Sequence, residues 1–359
     1  MIGVEHDIAL SAHAYYAGEH AAGRRACERL LARPDLTDEL EHMVRTNRTW
    51  YTPTLDELAT VRHQRIDVEA AHEGWSLFNP TIASHRDDLV CLVRSSNYKI
   101  VDGRYEMPAA DGSCIRTENV LVVVHPDLTV ASARVISGPD YPHTGFPVTG
   151  LEDCRLRYTQ TGLGVSATVR DVGPFDGRCR IATADLDVQA ATFSGLRVLD
   201  GINVQEHEKN WMPFVGREGW LYASNHNGHV VTVDPDGSIP GAWQVSQRRP
   251  SPAIAKRFRG GSQLLAFHDG WLGLVHEVAA LNGRRVYEHR FVWLDADLEL
   301  RRVSPAFAFR ERQAIEFAAG LCWNGSRLVA SYGVRDAEAW LVEIDPEDAW
   351  RLLSPAMSA

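Results

Sequence analysis

The sequence has a deficit of positive charge and no long apolar segment. Its 359 residues contain 37 Lys and Arg against 47 Asp and Glu, which gives a formal net charge of −10. This acidic balance argues against nucleic acid or anionic lipid as a partner, because both require clustered basic side chains. No apolar run approaches the roughly 20 residues that span a bilayer. We therefore expect neither nucleic acid nor a membrane among its partners.

Cysteine is also scarce and shows no functional pattern. The six cysteines are scattered, with no C-x-x-C pair and no histidine cluster at zinc-like spacing. We interpret them as reduced thiols of a cytosolic protein and predict a site without metal or organic cofactor. The first residues lack the basic start and apolar core of a secretory signal, so we predict a cytoplasmic location.

Residues 1–65 differ in composition from the rest of the chain. Residues 13–36 are rich in Ala, Leu, Glu and Arg, which favour helices. Thr37, followed by three acidic residues within four positions, is typical of the start of a second helix. The sequence therefore predicts a short N-terminal α-helical hairpin over residues 1–65. We interpret it as a packing cap on the main domain, with a partner-binding element as the alternative.

From residue 66 to residue 359, short β-rich runs alternate with turn signals, and two patterns recur in five units. In one, an apolar strand ends in an aspartate-rich turn, at 120–128, 180–187, 229–237, 290–298 and 340–348. In the other, a turn precedes a strand. The repeat is about 50 to 60 residues long, which is typical of a propeller blade. We predict an all-β fold, a five-bladed β-propeller; a β-sandwich would not explain five ordered copies.

The first strand of each unit carries polar groups in an otherwise apolar run. Charged side chains are rarely buried without partners. Because the innermost strands of a propeller face a central channel, we expect these groups to line one polar cavity. Ion pairs between blades are the alternative. The residues are Asn79, Glu152, Asp153, Arg155, Lys209, Asn210, Arg259, Gln263 and Glu316.

The adjacent carboxylates Glu152 and Asp153 suit glycosidic cleavage, which requires a general acid at the leaving oxygen. Neighbours in a strand point to opposite faces, so we expect only one of them to face the channel. Asp153 and Arg155 are two residues apart and should share a face. This spacing favours Asp153 as the acid and Glu152 as its outward or supporting neighbour.

Four segments carry a likeness to a known family. GLEDCR at 150–155 is similar to a G-x-E-D-P-R signature, with Cys154 in place of proline. The others are HEKNWMPF at 207–214, GWLGLVH at 270–276 and IEFAAGLCWNGSRLVASYGVRDAEAWL at 315–341. In these segments the chain resembles glycoside hydrolase family 130, the five-bladed β-mannoside phosphorylases and mannosidases. The resemblance implies inverting cleavage of a β-mannoside-like oligosaccharide or glycoside by phosphate or water.

The resemblance also implies roles for individual residues. Asp153 would be the catalytic acid, and His276 would contact an anion. Lys209 and Asp336 would contact the sugar or the anion. If water attacks instead of phosphate, Glu316 or Glu277 would activate it. The remaining predicted binding residues are Asn79, Arg94, Asn97, Arg155, Asn210, Arg259 and Tyr332.

One departure from the family keeps several functions open. The phosphorylases carry an arginine near the end of the third inner sheet, where this chain reads YASNHNGH at 222–229. Arg259, Arg290 or Arg94 would have to hold phosphate instead, so inorganic phosphate stays an open co-substrate. A glycosyltransferase that uses the same pocket synthetically and a non-catalytic carbohydrate-binding protein are the alternatives. Assembly into a homo-oligomer is also left open.

Overall fold

The ring of blades predicted from the repeats is present. The computed structural model describes residues 3–101, 103–108, 111–141, 143–159, 162–172, 177–199, 205–235 and 243–355. Within them, antiparallel sheets form a five-bladed β-propeller, which confirms the predicted fold class. Residues 236 and 237 of the third predicted aspartate-rich turn lie outside the described residues.

In the described part of the chain, three α-helices precede the propeller: α1 (Val4–His13), α2 (His20–Leu31) and α3 (Asp38–Arg48). The predicted hairpin corresponds to α2 and α3, and α1 is an addition that the sequence analysis does not anticipate. Gly18, with φ of 75°, lies in the turn that separates α1 from α2. The hydroxyl of Thr37 accepts a hydrogen bond from the backbone N–H of Leu40 and caps α3, as the sequence predicts.

The ring closes through a strand from the N-terminal part of the chain. Strand β1 (Val61–Arg65) pairs antiparallel with β24 (Glu338–Ile344), so the last blade combines both ends of the propeller sequence. The boundary predicted between residues 65 and 66 therefore falls at the end of a propeller strand, and the propeller begins at Val61. Short 3-10 helices at Leu55–Glu57 and Ala253–Arg257 connect elements.

Blades 1 and 2 follow in chain order from the axis outward. Blade 1 contains β2 (Ser76–His85), β3 (Asp88–Ser96), β6 (Ile115–Val124) and β7 (Val130–Val135), with β8 (Val148–Thr149) parallel to β6. The hairpin of β4 (Lys99–Val101) and β5 (Arg104–Glu106) is inserted between β3 and β6. Blade 2 contains β9 (Glu152–Thr159), β10 (Gly162–Val169), β11 (Arg180–Asp187) and β12 (Thr192–Val198).

Blades 3 to 5 repeat this arrangement with local differences. Blade 3 contains β13 (Met212–Pro213), β14 (Trp220–His226), β15 (His229–Pro235) and β16 (Trp243–Pro250). In blade 4, β17 (Arg259–Gly260) and β18 (Leu265–Phe267) pair with β19 (Gly270–Leu281), followed by β20 (Arg284–Leu294), β21 (Leu300–Val303) and β25 (Ser354–Pro355). Blade 5 contains β22 (Glu316–Asn324), β23 (Arg327–Val334), β24 and β1; helix α4 (Pro346–Leu352) follows β24.

A buried side chain joins three blades at the axis. Gln263 donates from Nε2 to the carbonyl oxygen of Ile82 at 2.8 Å. Its Oε1 accepts from the backbone N–H of Leu321 at 2.9 Å. Gln263 therefore ties blade 4 to blades 1 and 5, and its polar atoms are satisfied by backbone. Gln263, predicted to line the cavity, is instead buried between the blades and does not line it.

Candidate active site

A polar cavity of about 250 Å³ lies at the starts of the first strands. Its walls combine acidic, basic and phenolic side chains at close quarters, which is the setting in which pKa values are shifted. The acidic groups are Glu152, Asp153 and Asp336; the basic groups are Arg94, Arg170, Lys209, Arg259 and Arg285; the phenols are Tyr98, Tyr105 and Tyr287. The excess of cations over carboxylates suits a ligand with negative charge.

The backbone conformation at the first strands explains how the polar groups reach the cavity. Asn79, Asp153 and Asn210 have left-handed φ values of 48°, 47° and 63°. Asn and Asp tolerate this region better than other residues with a side chain. The left-handed residue interrupts the strand, and the register of β9 with β10 shifts there. As a result Glu152 and Asp153 both line the cavity, and the prediction that only one of them faces the channel is wrong.

Arg94 bridges the two adjacent carboxylates. Its Nη1 lies 3.1 Å from Asp153 Oδ1, and its Nη2 lies 3.0 Å from Glu152 Oε2. The side-chain amide of Asn79 donates to the same Asp153 oxygen at 3.0 Å. The guanidinium is buried and lies 5.1 Å from the ring centroid of Phe78. The bridge fixes both carboxylates relative to each other.

The environment separates the pKa values of these carboxylates. Burial acts to raise the pKa of Asp153, but the charge of Arg94 and the hydrogen bond from Asn79 outweigh it and hold the pKa below its ordinary value. Burial raises the pKa of Glu152, and the negative charge of Asp153 adds to this. Burial also raises the pKa of Asp336. Two neighbouring carboxylates with separated pKa values can hold one proton between them.

His276 contributes a neutral imidazole to the cavity. Burial lowers its pKa well below the ordinary value of 6.5, and His289 and Arg259 lower it further. The ring stacks on Tyr287 with centroids 5.4 Å apart, and it meets the edge of Phe317 at 5.1 Å. These contacts fix the orientation of the imidazole.

Lys209 and Arg259 are exposed at the mouth of the cavity. Among the residues that the structure describes, neither side chain has a hydrogen-bond or ion-pair partner. Arg259 lies opposite His276 in the pairing of β17 with β19. Two unpaired cations near a neutral imidazole are suited to bind an anion through charge-assisted hydrogen bonds.

Two tyrosines of the insertion between β3 and β6 connect blade 1 to the far side of the cavity. The hydroxyl of Tyr98 donates to Asp336 Oδ2 at 2.9 Å. Arg285 donates from Nη2 to the hydroxyl of Tyr105 at 3.2 Å. Blades 1, 4 and 5 are therefore joined by side chains across the cavity opening.

Eight of the predicted site residues come together in this cavity. They are Asn79, Arg94, Asp153, Lys209, Asn210, Arg259, His276 and Asp336. Their catalytic and binding roles stay predictions. Five others do not line the cavity: Asn97, Arg155, Glu277, Glu316 and Tyr332.

The two glutamates predicted to activate water are engaged elsewhere. Glu277 is buried in ion pairs with Arg45, Arg48 and Arg290. The carboxylate of Glu316 accepts hydrogen bonds from the backbone N–H groups of residues 309, 310 and 311, and burial raises its pKa to about 7. Both predictions are corrected by these contacts, because neither carboxylate faces the cavity. Arg290 likewise is held by Glu277 and is not placed to bind phosphate there.

The other three residues have structural contacts around the cavity. Arg155 donates to the carbonyl oxygens of Gly261 and Asp153, at 2.6 and 3.0 Å, so it supports the backbone of Asp153 from below. The amide of Asn97 is bonded to the backbone of residues 114 and 116. The hydroxyl of Tyr332 lies 2.8 Å from His63 Nδ1 in the core. The prediction that these side chains contact substrate is corrected accordingly.

Several cavity residues escape the sequence analysis, among them Arg170, Arg285, Tyr98, Tyr105 and Tyr287. One signal for Arg170 is present in the repeat itself. A Val-Arg pair occurs at the end of the second strand of blades 1, 2 and 5, at 93–94, 169–170 and 334–335. Comparison of the second strands, in addition to the first strands, would therefore have identified Arg170. Tyr98 and Tyr105 lie on the insertion between β3 and β6, and Tyr287 lies near the start of β20, the third strand of blade 4.

The described residues were compared with two requirements, those of a membrane-spanning helix and of a metal-binding cluster, and they meet neither. None of their helices is long and apolar enough to cross a membrane. In the same part of the chain, His, Cys, Asp and Glu side chains form no group of three or more that could hold a metal ion.

Comparison with solved structures identifies the architecture. No family model and no curated protein matches the sequence. One similar structure comes from the glycoside hydrolase family 130 of mannoside phosphorylases, which contains hydrolases of β-1,2 mannosidic linkages in Candida mannan. It aligns with a TM-score of 0.56 and 13% identity over 86% of this chain and 99% of that chain.

Two further structures lead to the same fold. A glycosyl hydrolase from Bacteroides ovatus aligns with a TM-score of 0.54 and 14% identity over 86% of this chain and 99% of that chain. The β-1,2-mannobiose phosphorylase from Listeria innocua, in complex with β-1,2-mannobiose, aligns with a TM-score of 0.53 and 14% identity over 82% and 99%. The chain thus has the five-bladed fold of glycoside hydrolase family 130 structures, and the predicted resemblance is confirmed at the level of fold.

Proposed function

We propose that this protein is an enzyme that cleaves a glycosidic bond of a β-mannoside-like saccharide in the central cavity, with inversion at the anomeric carbon. One observation carries the proposal. Arg94 holds the carboxylate pair Glu152–Asp153 in a cavity whose mouth also presents the unpaired cations Lys209 and Arg259. The arrangement supplies a proton donor and an anion site within one pocket. The shared fold with mannoside-cleaving enzymes supports the choice of substrate.

The carboxylate pair supplies the acid. Because the pKa of Asp153 is held low and that of Glu152 is raised, the pair retains one proton over an intermediate pH range. At rest this proton lies on Glu152, the carboxyl with the raised pKa, and we propose that Asp153 takes it up from Glu152 and delivers it, directly or through a sugar hydroxyl. Protonation of the departing oxygen lowers the cost of breaking its bond to the anomeric carbon.

The cations at the cavity mouth favour phosphate as the group that attacks the anomeric carbon. A phosphate held by Lys209, Arg259 and the neutral His276 would form a bond from its oxygen to the anomeric carbon. The bond to the leaving oxygen breaks with its electron pair, and that oxygen takes the proton from the acid. The products are a sugar 1-phosphate and a shortened saccharide. The same cations would hold a sugar phosphate donor, so the reverse, synthetic direction is the second candidate.

Incubation with saccharides tests the proposal. Manno-, gluco- and galacto-oligosaccharides are incubated with and without inorganic phosphate, and the products are identified by mass spectrometry and chromatography. We expect a manno-configured sugar 1-phosphate that forms only with phosphate present. Free sugar formed equally without phosphate would assign attack to water. Binding of the saccharides without any product, in either condition, would contradict an enzyme and leave the carbohydrate-binding alternative.

A further inference from the structure

A fully buried carboxylate in blade 2 holds two aromatic side chains, one of which is largely exposed. Asp171 accepts hydrogen bonds from the hydroxyl of Tyr141, at 3.0 and 3.1 Å to its two oxygens. Its Oδ2 also lies 2.5 Å from Nδ1 of His143. None of the Asp171 side chain is exposed to solvent, whereas 56% of the His143 side chain is. We call these three residues the Asp171 cluster.

The Asp171 cluster lies beside the carboxylate pair that supplies the acid. Asp171 directly follows Arg170, and both Arg170 and Glu152 line the active-site cavity. Burial raises the pKa of Tyr141, and the negative charges of Asp171 and Glu152 add to this. The backbone of Gly150, two residues before Glu152, acts on the same phenol in the opposite direction. Because charges and hydrogen bonds shift a pKa over short distances, the phenol of Tyr141 is close to Glu152.

The hydrogen bond to Asp171 fixes the orientation of the His143 ring. A carboxylate accepts hydrogen bonds, so Nδ1 is the nitrogen that donates, and Nε2 has no partner among the described residues. Because Asp171 is buried and the ring is largely exposed, Nε2 lies on the solvent side. The ring of Tyr141 lies next to it, with centroids 4.4 Å apart and the rings at 49°. An oriented nitrogen beside an aromatic ring suits a sugar, which presents hydroxyls around an apolar ring face.

The cluster also attaches the segment that precedes blade 2 to that blade. The backbone N–H of Thr144 donates to the carbonyl oxygen of Asp171 at 2.9 Å. Together with the hydroxyl of Tyr141, this contact already fastens the segment to the second strand of the blade. His143 adds an exposed ring whose second nitrogen makes no contact within the described part of the chain. Attachment alone does not require that nitrogen, which is therefore available to a ligand.

Inversion places the leaving sugar on the side of the cavity where the cluster lies. The attacking oxygen approaches the anomeric carbon opposite to the leaving oxygen, and the acid lies at the leaving oxygen. Lys209, which precedes the first strand of blade 3, and Arg259 in blade 4 form the proposed anion site. The carboxylate pair and the Asp171 cluster both belong to blade 2. A sugar that departs with the protonated oxygen is therefore on the side of the cluster.

We infer that the Asp171 cluster binds the leaving sugar, with Nε2 of His143 hydrogen-bonded to one of its hydroxyls and the ring of Tyr141 in contact with its face. His143 is thus a specificity-determining residue that favours a sugar over a leaving part without hydroxyls. Asp171 is a positioning residue, since it acts through His143. This inference depends on the proposed function and deepens it.

Substitution of His143 by Asn separates ligand binding from attachment. The amide nitrogen of Asn takes a place similar to that of Nδ1 and can still donate to Asp171, whereas Asn has no group in the place of Nε2. In the presence of inorganic phosphate, kcat/KM is measured for β-mannobiose, whose leaving part is a sugar, and for β-mannosyl fluoride, whose leaving part is one atom. We expect His143→Asn to lower kcat/KM about tenfold for β-mannobiose, because one hydrogen bond to the leaving sugar is lost, and to leave the value for β-mannosyl fluoride unchanged.

A second exposed pair of histidine and aspartate provides the matched control. Nδ1 of His125 lies 3.0 Å from Oδ1 of Asp88, and 54% of the His125 side chain is exposed. His125 follows the end of β6, whereas Ile115, at the start of the same strand, lines the cavity. His125→Asn should therefore leave kcat/KM unchanged for both substrates.

One result would overturn the inference while the proposed function stands. It is a ratio of the two kcat/KM values that is the same in His143→Asn and in the wild type, whether both values fall or neither does. A fall in both values, with a lower unfolding midpoint, would assign to His143 the attachment of the segment alone.

If the protein turns over no saccharide, the proposed function fails and the cluster is tested by binding. Calorimetric titration with β-mannobiose should then show an affinity that His143→Asn weakens about tenfold and that His125→Asn leaves unchanged. Equal affinity in His143→Asn and the wild type, or no binding of β-mannobiose, would overturn the cluster as a saccharide site.

Discussion

Arg48 of helix α3 and Glu288 of strand β20 are joined by two hydrogen bonds, at 2.6 and 3.1 Å, although 240 residues separate them. Arg48 also reaches Glu277, which lies opposite Glu288 in the β19–β20 pair. Side chains alternate along a strand, so the neighbouring His276 and Tyr287 lie on the other face and line the cavity. The helical extension therefore braces the strands that hold part of the candidate active site.

The first prediction concerns this contact. Replacement of Arg48 by Met removes one cation from a buried network and leaves Glu277 and Glu288 with less compensation. We expect Arg48→Met to lower the free energy of unfolding by about 3–5 kcal/mol, since an uncompensated buried charge remains. Urea or guanidinium unfolding followed by fluorescence measures the change.

An exposed ion pair provides the control. Arg62 lies 3.3 Å from Glu343 with half of its side chain exposed. Arg62→Met should change the free energy of unfolding by less than about 1 kcal/mol. Equal midpoints for the two variants would show that the contact of Arg48 does not stabilise the fold.

The fold was accessible from the sequence because the propeller repeats itself. Five copies of a strand followed by an aspartate-rich turn are visible without any long-range information. The closing strand Val61–Arg65 was not accessible, because it belongs to the last blade in space and precedes the first in sequence. Its outer position also leaves it a polar pattern that resembles neither a buried strand nor a helix.

The candidate site was accessible in part. Residues at first-strand positions such as Asn79, Asp153 and Lys209 were found because polar groups interrupt apolar runs. Strict alternation assigned Glu152 to the wrong face, because the left-handed backbone at Asp153 breaks the period of two. Glu277 lies in the second strand of its unit, and its partner Arg48 comes from a helix more than 200 residues earlier, which the local sequence does not reveal.

The second prediction separates a catalytic from a structural carboxylate. Asp153→Asn should lower kcat by about 10²–10⁴, because the proton donor at the leaving oxygen is lost. Its unfolding midpoint should stay close to that of the wild type. Glu316→Gln should instead leave kcat close to the wild-type value and lower the free energy of unfolding by about 1–3 kcal/mol, since its carboxylate accepts three backbone N–H groups. If Asp153→Asn lowered stability and kept kcat, while Glu316→Gln lowered kcat and kept stability, Glu316 would be the catalytic carboxylate and Asp153 the structural one.

The third prediction follows from the separated pKa values of Glu152 and Asp153. The active pair holds one proton, so kcat/KM should fall as the pH drops through the lower pKa, which lies below 3.8. It should also fall as the pH rises through the upper pKa, which lies above 4.5. Glu152→Gln removes the carboxyl with the raised pKa and leaves Asp153, whose pKa is held low, as the remaining acid of the pair, so the alkaline limb moves to lower pH. A pH–rate profile in which this limb stays in place or moves upward would contradict a shared proton.

The fourth prediction concerns the unpaired cations at the cavity mouth. Lys209→Met should raise the KM for inorganic phosphate about tenfold at saturating saccharide, because one charge-assisted hydrogen bond to the anion is lost. Arg285→Met removes another cation of the same cavity whose guanidinium is bonded to Tyr105, so it should leave the KM for phosphate nearly unchanged. Initial rates over a range of phosphate concentrations measure both effects. Similar increases in the two variants would show a diffuse field of positive charge in place of a defined anion site. A rate that no phosphate concentration changes would assign the attack to water, and Glu152 or Asp336, the other carboxylates of the cavity, would then have to activate it.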